Sequence, residues 1–100
     1  MPKVARKDGV DSINTNHGCD ATTVTDEGST KVFVEGIGVV RNGDKCAVHL
    51  LPSGKSCVPH QVSLTTYSSK VKADGKEVGR IGDSYNGHQI TSGSDKVYAG

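Results

Sequence analysis

One hundred residues and 10.4 kDa make a single domain, 1–100, and at this size about two thirds of the unfolded chain's surface can be buried, so the core is small. Leu, Ile, Val and Phe number 3, 4, 13 and 1 beside 13 glycines. Because an interior glycine costs a helix about 1 kcal/mol relative to alanine, helical bundles and doubly wound folds are excluded. Twelve Lys plus Arg against eleven Asp plus Glu leave a net charge of +1, and with 4% aromatics the chain lacks the basic footprint and stacking platforms of a nucleic-acid binder.

The opening residues, Met1–Arg6, carry no apolar leader, so synthesis in the cytoplasm without a signal peptide is expected. No apolar run approaches the roughly 18 residues of a spanning helix. Val4-Ala5-Arg6-Lys7-Asp8-Gly9 reads as a short strand entering a turn. Gly28-Ser29-Thr30-Lys31-Val32 then starts a valine strand that closes in Val34-Glu35-Gly36. The opening element returns as Val39-Val40-Arg41-Asn42-Gly43-Asp44, and the second as Tyr67-Ser68-Ser69-Lys70-Val71, closing in Ala73-Asp74-Gly75. A third round follows, Val78-Gly79-Arg80-Ile81-Gly82-Asp83 and Gly93-Ser94-Asp95-Lys96-Val97. All three arginines of the chain, Arg6, Arg41 and Arg80, hold the same place in their copies.

Alternation at Val32/Val34 and Val71/Ala73, with Asn-Gly, Asp-Gly and Ser-Gly turn pairs between, is strand and hairpin chemistry. No segment keeps a 3.6-residue period. The expected fold is therefore a small all-β domain with few or no helices, built from three quasi-equivalent hairpin-like repeats around a pseudo-threefold axis. Repeats of this kind bury their apolar faces only against one another.

All four histidines fall in the connections between repeating elements. His17 lies in Asn16-His17-Gly18-Cys19, and His49 and His88 each follow their arginine by eight residues. His60 closes Cys57-Val58-Pro59-His60, and His60-Gln61-Val62 is echoed by His88-Gln89-Ile90. A pseudo-threefold arrangement brings these loops to one end, where imidazoles and a thiolate form a donor set suited to zinc or ferrous iron. Spacing leaves open which four of His17, His49, Cys57, His60 and His88 bind. Three cysteines make no complete disulfide framework, and Cys19 and Cys46 read as buried small residues. The arginines read as braces for the turns that follow them. No nucleophile elbow and no His-Glu-x-x-His helix is present, so no enzyme is expected. A small metal-dependent hydrolase on the same ligands, with one position open to water, is the alternative, and a free-standing β-domain for protein recognition is a third reading.

The chain resembles the PAAR-repeat family, the cone-shaped tips of contractile injection spikes. Val39–Asp44 and Val78–Asp83 match that family's repeating Arg-x-Gly-Asp element, with Val4-Ala5-Arg6 as leading copy. The three Gly/Tyr-Ser-x-Lys-Val starts match its strand openings, and His17-Gly18 and Cys57-Val58-Pro59-His60 match its ligand segments. The proline of the naming motif is absent, and the stretch from Asp44 to Cys57 is long and introduces His49. The resemblance implies one zinc or iron ion per chain, zinc favoured, held by three His and one Cys near the apex. It also implies a broad base docked, one copy per trimer, on the blunt end of a trimeric β-helical spike of a phage tail or type VI secretion machine. Transient contact with the target membrane, and no small-molecule substrate, complete the expectation.

Overall fold

The computed structural model describes residues 1–100 and is all-β, without a helix. Ten short strands follow one another: β1 Ser12–Asn14, β2 Thr22–Val24, β3 Phe33–Val34, β4 Ile37–Gly38, β5 His49–Ser53, β6 Ser56–His60, β7 Lys72–Ala73, β8 Lys76–Glu77, β9 Ser84–Tyr85 and β10 His88–Ile90. Four of them form one sheet in the order β2-β1-β10-β9, and the other six form three separate hairpins, β3-β4, β5-β6 and β7-β8. The molecule is elongated, 41 × 24 × 20 Å.

What joins these pieces is a closed ring of backbone bonds between the three opening elements. Ala5 N donates to Gly79 O (2.9 Å), Gly79 N to Val40 O (2.8 Å) and Val40 N to Ala5 O (3.0 Å). The residue before each makes a second set. Val4, Val39 and Val78 donate to the carbonyls of Val97, Val32 and Val71, and accept from the amides of Ser94, Ser29 and Ser68. Each copy therefore repeats the same contacts, which is the physical content of the repeated sequence.

Side chains repeat as well. Ser29, Ser68 and Ser94 are fully buried, and each hydroxyl oxygen accepts the amides two and three residues ahead, closing the turn that starts the valine strand. Arg41 and Arg80 each set a guanidinium fork and their own amide on the aspartate three residues on, Asp44 and Asp83. Arg6 does the same to Asp11, five residues on, because copy one carries two extra residues in that turn. Asp11, Asp44 and Asp83 are buried, and a buried carboxylate needs such a bidentate partner. The expectation that the arginines brace turns is met in all three copies.

Alternation along the opening strands splits the core in two. Val4, Val39 and Val78 pack with Val34, Ala73 and Ala99, under the β3-β4 and β7-β8 hairpins. Their neighbours Ala5 and Val40 pack on the other side of the ring with Ile13, Cys46, Leu64, Tyr85 and Ile90. The hairpin turns Glu35-Gly36, Asp74-Gly75 and Asn86-Gly87 all take positive φ at both residues, the primed turn whose twist matches a two-residue hairpin.

Close packing of repeat on repeat leaves no space for a side chain at Gly38, where an added Cβ meets Ser29 O at 2.0 Å. Gly38→Ala is expected to lower stability by about 2–4 kcal/mol. A shift in the guanidinium unfolding midpoint at constant m-value measures it.

Candidate metal centre

Three local devices deliver the four histidines. His88 starts β10 directly after the Asn86-Gly87 turn, and β10 lies antiparallel to β1 with Asn14 opposite Gln89. His17 stands three residues beyond the end of β1, in the connection to β2. His49 opens β5 and His60 closes β6, and they are register partners in one hairpin, so both side chains leave the same face. All four imidazoles converge: one ring nitrogen from each lies within 4.8 Å of the others. His49 and His88 are buried, His17 and His60 half-buried.

The inner nitrogens are crowded beyond what hydrogen bonding among them can satisfy. His88 Nε2 lies 3.1 Å from His17 Nε2 and 3.1 Å from His49 Nε2. A ring nitrogen has one in-plane position, holding either a proton or a lone pair, so His88 Nε2 can satisfy only one of those neighbours by a hydrogen bond. A cation accepting every lone pair satisfies both. Two of the outer nitrogens support that arrangement: His17 Nδ1 donates to Gly18 O (2.8 Å) and His49 Nδ1 to Ala47 O (3.0 Å), while His88 Nδ1 is buried without a partner. Those bonds place the ring proton on Nδ1 and leave the Nε2 lone pairs facing inward. Burial, and then the neighbouring imidazoles, also hold His60 and His88 below the usual histidine range, favouring the neutral, ligating form.

Four nitrogens each about 2.05 Å from a tetrahedral ion lie about 3.3 Å apart, close to the two 3.1 Å separations around His88, and the whole set lies within 4.8 Å. The residues present therefore fit a metal ion, with His17, His49, His60 and His88 as its donors. Four protein donors fill a tetrahedral shell, the pattern of a structural site.

Cys57, the fifth candidate, is elsewhere, and so the three-His, one-Cys set implied by the family resemblance is not the set brought together. Alternation along β6 explains this: residues three apart face opposite sides, so Cys57 points away from His60. Its sulfur is bonded to Cys19. Cys19 is thus an exposed disulfide partner and not a buried small residue. Cys46 does behave as expected, a free thiol fully buried in the core, with Sγ 3.9 Å from His49 Nδ1.

The disulfide was missed because an odd cysteine count says nothing about which pair meets. A signal was present, though. Ser53-Gly54-Lys55-Ser56 is a turn with His49 and His60 equidistant from its centre, which pairs the two histidines and puts Cys57 on the reverse face. Compared with protein-family models and with curated proteins, the sequence matches none.

Two substitutions separate the donor sets. His88→Ala is expected to lower metal affinity more than about 100-fold, whereas Cys57→Ser keeps one ion per chain, as measured by elemental analysis after dialysis. Chelation of the ion is expected to lower the melting temperature of the wild type by about 10 °C or more, read by circular dichroism.

Proposed function

We propose that this protein is a non-enzymatic, metal-stabilised tip that caps and sharpens a trimeric β-helical spike of a contractile injection machine, on a phage tail or a type VI secretion spike. The observation that carries the reading is a triplet on a single chain. Val32, Val71 and Val97, equivalent in the three copies, are exposed to almost the same extent, 38%, 39% and 37%. A lone asymmetric chain has no need of three matched apolar residues at its surface. A trimeric partner offers three matched sockets.

Phe33 and Tyr98, next in sequence to two of these valines, are also exposed, enlarging the apolar face. A shaft of three identical chains ends in three sets of unpaired strand groups that invite aggregation unless covered, and a triplicated cap covers them with one copy per trimer. The four histidines belong to the other side of the molecule, beyond the core that contains Cys46 and Tyr85. There the β5-β6 hairpin leaves most of its side chains exposed and buries little apolar area, and an ion shared by four imidazoles supplies cohesion of about 10–16 kcal/mol by analogy with zinc fingers. Zinc is favoured over iron, since an all-imidazole, closed, tetrahedral shell suits an ion without redox chemistry. In this role the tip transmits axial force to the target envelope and touches its membrane only in passing.

Against the hydrolase alternative stands the position of the one cleft, about 390 Å³, lined by Lys7, Asp8, Asp26, Glu27, Gly28, Arg41 and Asp44. None of the histidines lines it.

The test is stoichiometry. Native mass spectrometry of the chain mixed with a trimeric β-helical spike from the same source is expected to give one chain and one zinc ion per trimer. Val71→Asp is expected to weaken that complex at least tenfold without loss of fold, since a charge is buried unpaired at the joint. Three chains per trimer, or no complex, overturns the capping role.

A further inference from the structure

We propose that Cys19–Cys57 is an oxidation-driven latch on the metal centre, closing the one donor segment that no strand holds and slowing escape of the ion. The inference rests on the metal centre described above. Among the four donors, His49, His60 and His88 sit inside β5, β6 and β10. His17 alone lies in a connection, between β1 and β2.

That connection is costly to hold. Asn16 and Cys19 both take left-handed backbone, φ 60 and 65; asparagine tolerates it, whereas cysteine rarely adopts it without outside restraint. Most of its noncovalent bonds are internal: Thr15 N donates to Ala21 O, Thr15 Oγ1 to Asp20 O, Asn16 N to Asn14 Oδ1 and His17 N to Thr15 Oγ1. To the rest of the molecule it is tied by Asn16 Nδ2 donating to Gly87 O (2.7 Å) and by Asp20 exchanging bonds with Leu50 of β5. A covalent restraint adds to these: Cys19 follows His17 by two residues and Cys57 precedes His60 by three, so the bond joins two donor segments directly. Because Cys57 faces away from the imidazoles, the bond clamps the site from outside without competing for the ion.

Both cysteines are exposed, so small reagents reach the sulfurs in the folded protein. In closing, the Cys57 or Cys19 thiolate attacks a small-molecule disulfide such as oxidised glutathione. One glutathione leaves and a mixed disulfide forms; the second cysteine then displaces the other glutathione. The two protein thiols lose two electrons and two protons, and the two departing thiols carry them. A phosphine reverses the step, taking up an oxygen atom from water as it is oxidised while two protein thiols re-form.

The test compares zinc release into a chromophoric chelator from the oxidised wild type, the phosphine-reduced wild type, and the C19S/C57S variant. All three are expected to hold one zinc per chain. Release from the oxidised form is expected to be at least about tenfold slower, because a tethered His17 rebinds at high effective concentration. Hydrogen exchange supplies a readout independent of metal: in metal-free protein, amides of residues 16–20 are expected to exchange faster on reduction, with those of β10 unchanged. Stoichiometric zinc with equal release rates overturns the latch and leaves the metal centre standing. No zinc in any form overturns the metal centre and the latch together. Loss of β circular dichroism on reduction alone makes the bond a staple for the whole fold, which also overturns the latch.

Discussion

A backbone amide turned toward the middle of a narrow molecule has no water to bond with, so it must find a carbonyl or cost the fold a few kcal/mol. Here three such amides, on Ala5, Val40 and Gly79, solve the problem for one another by donating in a cycle. The cycle closes only if the three opening elements lie side by side at one level. That condition dictates where everything else attaches. The valines before the ring face one core, the residues of the ring face the other, and the arginine after each ring position is left at the rim, next to a turn aspartate.

The third position of the ring is glycine because the space is already taken: a Cβ on Gly79 lies 2.9 Å from Leu64 Cδ2 and 3.2 Å from Val40 Cγ1. A larger residue at the third position would have to displace Leu64 and Val40 in the tighter core, which also has to hold Tyr85. On the looser side, Val4, Val39 and Val78 remain equivalent. Departures from strict repetition follow volume.

Beyond that crowded core lies the histidine cluster, and the logic of cohesion changes there. Burial of apolar area scales with what a segment can surround, and β5-β6, exposed along most of both strands, surrounds little. A two-stranded hairpin alone is marginal in water. Its reverse face is tied to the β1-β2 connection by the Cys57–Cys19 bond, and at its base His49 and His60 meet the other two histidines, a donor set that could hold an ion.

Much of the architecture was readable from residues alone, since it rests on local chemistry. Valine alternation, turn pairs and three arginines in matched places determined an all-β chain of three repeated elements, and the positions of the histidines between those elements pointed all four to one region. What sequence left open was the donor set, because ligand choice depends on which face of a strand a side chain leaves and on which strands pair. Only the folded chain decided that His49 opposes His60, that Cys57 turns away to Cys19, and that Asp11 rather than Asp8 receives Arg6. The hairpin centre at Gly54-Lys55 hints at the histidine pairing, but the Cys19–Cys57 bond joins residues 38 apart and depends on which segments the fold lays side by side.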